Sequence, residues 1–458
     1  MLTRLEVHGF KNLLNFEINL GAFTCIAGLN GVGKSNIFDA IKFLSLLSDS
    51  TVMDAALKVR DSDSSSPEDI FWTDGVDRLD EMTLAAEMIV KQEVTDDFGR
   101  TGRAKSTFLR YKVKISRKRE DDAFGRTSLH LTHESLDYFT IKETPSRLLF
   151  PHKASSFRKS VIINNKKGSH FISTSENASD DMTEIKLHQD DNSRGKPQTF
   201  PAKYAPKTVL ANTNNNAWPT ILAARREMLA WRFLSLEPSA MRRSNNMYDP
   251  QNISPSGDFL ASTYHKLKKR DSNIDIKVSN TLSSILPVSG IRLDINETRQ
   301  LLTIEVKERS GAFLPTRALS DGTLRFLTLS IMAEDPDFEG LLCFEEPENG
   351  IHPAKMKEIY ELLLNMTVNT EEEVSADNPM RQIIIATHSP VMVQLQDEAD
   401  LVYIESIAIS GPTQKPTNTL RATSLANSWR SEQEGRHISK ASISSYLTYP
   451  KDAQIKLF

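Results

Sequence analysis

The chain has 458 residues, 39% of them hydrophobic and 25% charged, a composition that excludes a fibrous or wholly disordered protein. Its 56 basic and 60 acidic side chains leave a net charge of -4, so any contact with nucleic acid needs a local patch rather than a global pull. No run approaches ~18 consecutive apolar residues, and the N-terminus MLTRLEVHGFKNLLNF lacks a positive-then-apolar leader. A cytoplasmic protein with no membrane contact is expected.

In chain order, residues 2–8 and 14–20 alternate as two strands around a turn near Lys11 and Asn12. The apolar run 22–27 leads into a glycine-rich loop, and Ile37, Phe38, Ile41, Phe43, Leu44 and Leu47 then recur at helical spacing. A polar run follows, with Asp61 to Pro67 reading as a loop, and strands are expected near 79–90 and 107–116. Residues 117–210 mix basic, serine and asparagine runs and show little periodicity. A helix is predicted from Thr220 to Leu236, another from Phe259 to Leu267, and strands at 291–295 and 301–306. Further on, helices are expected at Leu324–Met332 and Pro353–Leu364, and buried strands at Leu341–Phe344, Ile383–Ala386 and Leu401–Ile404. Glu371 to Pro379 reads as an acidic loop. Short, fully apolar strands alternating with helices predict a mostly parallel sheet covered on both faces. Cys25 and Cys343 lie inside such strands and read as core residues; two cysteines make neither a disulfide framework nor a cysteine-built zinc site. No heptad pattern persists, so no long coiled coil is expected.

Four motifs carry chemistry. Gly28-Leu29-Asn30-Gly31-Val32-Gly33-Lys34-Ser35 fits G-x-x-x-x-G-K-[ST] between an apolar strand and a helix. Glycines let the backbone wrap phosphate oxygens, Lys34 would reach the β and γ phosphates, and the Ser35 hydroxyl would ligate Mg2+. Glu345 and Glu346 end the apolar run Leu341–Phe344. Glu345 suits the metal and Glu346 the polarisation of an attacking water; Glu348 reads as structural. His388, in Ala386-Thr387-His388-Ser389-Pro390, follows a third apolar strand and suits sensing of the terminal phosphate. Ser320 and Gly322 begin a helix in Leu319-Ser320-Asp321-Gly322-Thr323-Leu324-Arg325. That is either a plain N-cap or a second anion-binding helix start, which would place a nucleotide between two protomers.

Basic residues form two groups: Arg103, Lys105, Arg110, Lys112, Lys114 and Arg117–Arg119, then Arg225, Arg226, Arg232, Arg242, Arg243 and Lys266–Arg270. The alternation Arg110, Lys112 and Lys114 would put three cations on one strand face, as a DNA or RNA contact or merely to protect a sheet edge.

Together the motifs resemble ATP-binding-cassette ATPases of the SMC, RecF and OLD type, and standalone prokaryotic "AAA family" ATPases of the same build. The resemblance is carried by Leu5–Asn12 with the phosphate loop, by Leu319–Arg325, by Phe344–Pro353 and by Ala386–Pro390. It implies an α/β ATPase head with a mixed sheet, divided as residues 1–116, an irregular α+β insertion at 117–310, and a C-terminal lobe at 311–458. It implies ATP and Mg2+ as cofactors, hydrolysis to ADP and phosphate, and a head-to-head dimer or higher oligomer. Nucleotide contacts would come from Lys11, Asn30, Gly31, Gly33, Lys34, Ser35 and Asn36 of one chain, with Ser320 and Gly322 of the other. Catalysis would fall to Glu346 and His388, and metal binding to Ser35 and Glu345. Glu345 stands where the family usually has aspartate. No glutamine can be assigned to the loop after the first helix; Asp74 and Asp77 lie nearby. Neither a coiled-coil arm nor a nuclease site accompanies the head, which implies a separate effector, with anti-phage defence as a setting. A RecF-like repair factor and a nucleotide-stabilised scaffold are the competing expectations.

Overall fold

The computed structural model describes residues 1–59, 66–119, 126–166, 168, 170–176, 183–190, 196–411, 416–431 and 437–448. The polar run at 61–65 lies outside them. Among the described residues no helix is long and apolar enough to cross a membrane, and no long coiled coil is present.

Two sheets organise the chain. One has six strands in the order Arg232–Leu234, Gly340–Glu345, Arg381–Thr387, Phe23–Ala27, Leu401–Ser410 and Pro416–Ser424. Its first five strands are mutually parallel, and the last closes it antiparallel. Every residue of Phe23–Ala27 and of Arg381–Thr387 is buried, as sequences without polar alternation require. Alternate side chains serve opposite cores. Ile26, Leu341, Cys343, Ile384 and Ala386 join one cluster, whereas Cys25, Ala27, Leu342, Phe344, Ile383 and Ile385 join the other. Both cysteines are free and buried, as core residues should be.

The second sheet is antiparallel, with eight strands in the order Gln198–Pro201, Thr183–Leu187, Ile172–Glu176, Thr127–Tyr138, Phe108–Arg119, Glu81–Ile89, Leu2–His8 and Phe16–Asn19. The helix Lys34–Leu47 lies in the cluster that both sheets share, burying Ile37, Phe38, Ile41, Phe43, Leu44 and Leu47. The helices Leu260–Arg270, Ile274–Ile285, Asp321–Glu334 and Met356–Asn365 cover the opposite face of the parallel sheet.

Several expectations need correction. Position 116/117 falls inside the continuous strand Phe108–Arg119, and the antiparallel sheet begun by Leu2–His8 runs on to Pro201. The strands Thr127–Tyr138, Ile172–Glu176, Thr183–Leu187 and Gln198–Pro201 therefore extend the N-terminal sheet by antiparallel pairing. The helix read from Thr220 to Leu236 ends at Leu229, because Arg232–Leu234 pairs in parallel with Leu342–Phe344 and buries Leu234 at the sheet edge. The strand Phe108–Arg119 is interior, paired on both sides, so its cations do not protect an edge.

Glu134, fully buried in the antiparallel sheet, accepts hydrogen bonds from the Val209 and Leu210 amides at 2.7 and 2.9 Å. Burial pushes its carboxyl up from 4.5 to about 7. The folded state thus binds this proton more tightly than the unfolded chain. The stability it confers is complete below pH 4.5 and is lost as pH rises through about 7, a change of about 3 kcal/mol. Urea unfolding of wild type and Glu134→Gln between pH 4.5 and 8 should show the wild type losing that much relative to the variant. A difference independent of pH would contradict it.

Candidate functional site

Register brings the motifs together. Parallel pairing sets Glu345 beside Ala386, Ala386 beside Ile26 and Thr387 beside Ala27. The loops that follow these three strands leave one edge of the sheet as neighbours: the phosphate loop from Ala27, Glu346 from Glu345, and His388 from Thr387. This is the carboxyl edge, where parallel α/β sheets bind ligands.

The phosphate loop is built from glycines for steric reasons. A Cβ at Gly28 would sit 2.8 Å from the Ile404 carbonyl oxygen, and Gly31 and Gly33 have φ of +75° and +110°. Lys34 and Ser35 open the helix Lys34–Leu47, whose first amides have no intrahelical acceptor. Lys34 Nζ donates to the carbonyls of Gly28 and Leu29 at 2.7 and 2.9 Å. Burial lowers the ammonium pKa, and the charges of Glu346, Glu348 and Glu345 oppose that shift. Asn30 and Gly31 are exposed, while Ser35 and Asn36 are half-buried.

Glu346 has φ of +47°, a costly conformation for a residue with a side chain, held in place by its amide bonding to Ala386 O at 2.9 Å. Its Oε2 accepts from Asn349 Nδ2 at 2.6 Å. His388 Nδ1 lies 2.9 Å from Glu346 Oε1 without the alignment of a hydrogen bond, so the two side chains are in contact but not hydrogen-bonded. Glu348 is buried, accepts from the Thr387 hydroxyl, and leaves Oε2 without a partner among the described residues. Burial raises its carboxyl pKa. It ties the acidic turn to the strand that carries His388.

This donor set fits Mg-ATP: a buried lysine and the helix-start amides for phosphate, and a hydroxyl and carboxylates for the metal. No group of three or more His, Cys, Asp or Glu among the described residues could hold a metal alone. Magnesium needs no such cage, since it keeps waters and shares phosphate oxygens.

Ser320 and Gly322 begin a different helix, Asp321–Glu334. Ser320 is exposed and caps Asp321–Glu334, accepting from the Thr323 amide at 3.2 Å. Gly322 abuts the turn after the acids, where a Cβ would lie 3.2 Å from Gly350 O. Asp321 pairs with Arg242 at 2.5 Å. Lys11 reaches the phosphate-loop helix through Asp39, at 2.6 Å. Asp74 accepts from the Val76 and Asp77 amides and so closes a turn. Asn12, which the motif reading passed over, bonds to both Val32 and Asn36.

The basic groups are heavily paired. Arg110 engages Glu6 and Glu87, Lys114 engages Glu81, and Arg117 engages Glu68 and Asp80. Arg225, Arg226, Arg243, Lys266, Lys268 and Arg270 also pair with aspartates. Sequence spacing showed the cations but not the acids that neighbouring strands and helices bring to them.

A family model described as "AAA domain, putative AbiEii toxin, Type IV TA system" matches residues 23–393, more than half of the chain. The chain belongs to that family. Its fold is similar to that of the Smc head in a crystal structure with the C-terminal winged-helix domain of ScpA, at 14% identity and TM-score 0.50, covering 93% of this chain and 98% of that one. A Smc head with an extended coiled coil, in complex with ScpA from Pyrococcus furiosus, matches at 13% identity and TM-score 0.46, covering 92% and 96%. The SMC head domain from Thermotoga maritima matches at 11% and 0.38, covering 93% and 98%. No curated protein matches the sequence.

Proposed function

We propose that the chain is a cassette-type ATPase in which Mg-ATP joins two copies head to head, and that closing and hydrolysis switch a separate effector. The observation that carries this reading is the parallel register that gathers the phosphate loop, Glu345–Glu346 and His388 at one sheet edge. In this reading Lys34 and the helix-start amides bind the phosphates, and Ser35 and Glu345 hold magnesium, which would supply charge neutralisation there. Glu346 orients the attacking water and accepts its proton, and His388 beside it responds to the terminal phosphate. The catalytic parts then all leave one parallel sheet, whose strands come from both ends of the chain.

Ser320 and Gly322 lie on an exposed helix start with Ser320 bonded only within its own helix among the described residues, which suits a surface that meets a second copy. A separate effector is in keeping with a Smc head crystallised with ScpA, and a defence setting with the toxin–antitoxin description of the family. Direct DNA contact is the weaker alternative, since most of the basic residues that would make it are spent in ion pairs.

Ser320→Arg tests the two-copy site. It should leave Mg-ATP binding by single chains within about threefold while cutting turnover by about 100-fold, because the contact forms only in the closed pair. Calorimetric titration beside a phosphate-release assay measures both. Unchanged turnover would reduce Ser320 to a helix cap.

A further inference from the structure

The phosphate loop has an outside brace. Asn12 Nδ2 donates to Val32 O at 3.3 Å, and Asn36 Nδ2 donates to Asn12 Oδ1 at 2.8 Å. Between these two bonds sits Gly33, where a Cβ would overlap the Asn12 amide. One side chain therefore touches the loop at its apex, at the left-handed residue that starts the helix, and on the helix's first turn.

Asn12 is itself held firmly. Its turn is closed by Gly9 N to Leu13 O at 2.9 Å and Leu13 N to Phe10 O at 2.8 Å, and is tied down by Lys11 N to Ile70 O at 2.8 Å. On the other side, buried Thr419 of Pro416–Ser424 shares its hydroxyl between the carbonyls of Asn12 and Leu14, at 3.1 and 3.2 Å, and accepts from the Leu14 amide at 2.9 Å. Strands some 400 positions apart in sequence are thereby bolted to one turn. A loop with three glycines loses much conformational entropy on adopting one shape, so a rigid neighbour that fixes that shape before the nucleotide arrives favours binding.

We propose that Asn12 is a positioning residue that holds the phosphate loop in its nucleotide-ready shape, with Thr419 as its anchor. The proposal rests on the ATPase reading above. Preorganisation acts equally on the ground and transition states, so it should appear in KM and Kd and not in kcat.

The test is Mg-ATP titration and steady-state hydrolysis of full-length wild type, Asn12→Ala and Thr419→Val, with thermal melting of each without nucleotide. Asn12→Ala should raise Kd and KM about tenfold, with kcat within about twofold of wild type. Thr419→Val should raise both about threefold in the same pattern, and it decides the matter if Asn12→Ala does not fold. Wild-type Kd in both variants, or a loss of kcat with KM unchanged, would overturn the brace while leaving the ATPase reading intact. Absence of Mg-ATP binding by the wild type would overturn both.

Discussion

Replacing Lys34 with alanine is expected to weaken ATP binding by about 100-fold and to leave turnover at background. Lys34 is 9% exposed and has three glutamates within electrostatic reach. Its ammonium is the buried cation at the start of the phosphate-loop helix, and a charge-assisted contact of this kind is worth about 3 kcal/mol. The fold should survive. Among the described residues the ammonium bonds only to the carbonyls of Gly28 and Leu29, and the helix is held by Ile37, Phe38, Ile41 and Leu44. Equilibrium binding of radiolabelled ATP, with circular dichroism as the folding control, checks both halves. Affinity and turnover at wild-type level would remove Lys34 from the site.

Glu346→Gln should bind Mg-ATP with an affinity close to wild type and hydrolyse it ~100- to 10,000-fold more slowly, the range typical of losing a general base. Glutamine keeps the length, the acceptor towards Asn349 and the backbone bond from residue 346 to Ala386, and loses only the capacity to take a proton. Glu345→Gln should behave differently. Half-exposed at the end of its strand, it should raise the magnesium concentration needed for half-maximal turnover. A magnesium titration of steady-state hydrolysis separates the two roles. Full turnover in Glu346→Gln would place the base elsewhere.

The strands of the catalytic sheet were legible because both of their faces are buried. Leu341–Phe344 has no polar position and Phe23–Ala27 only the buried Thr24 to confuse the pattern, and each runs directly into a motif. The helix Ile274–Ile285 was missed although Ile274, Val278, Leu282 and Ile285 are its buried stripe. Most of its other positions are serine, asparagine, threonine and β-branched residues, which weaken the helical signal. The antiparallel strands between 172 and 201 carry a weak signal for a related reason: they bury few apolar side chains, Ile172, Ile185 and Leu187, and polar segments separate them.

At the site, a motif names residues in one segment and is silent about what other segments bring. Glu348 shows this, since its partner Thr387 lies 39 positions away and their contact depends on sheet register. Asn12 is the sharper case. Its segment Leu5–Asn12 carries the family resemblance without giving Asn12 a role, and that role appears only when Val32, Gly33 and Asn36 are seen to close around it. Arg110 errs the other way, looking like a nucleic-acid contact until Glu87 on the next strand and Glu6 on the one beyond it are found paired with it.

The central claim is that nucleotide joins two copies of this chain through the phosphate loop of one and Ser320 of the other. Light scattering of Glu346→Gln with and without Mg-ATP tests it most directly, since slow hydrolysis should preserve the closed state. The mass should be that of a dimer with Mg-ATP and of a monomer without it, and Ser320→Arg introduced into the same chain should abolish the change. A mass that stays constant while bound ATP is demonstrated, or a dimer indifferent to both nucleotide and Ser320, would contradict it.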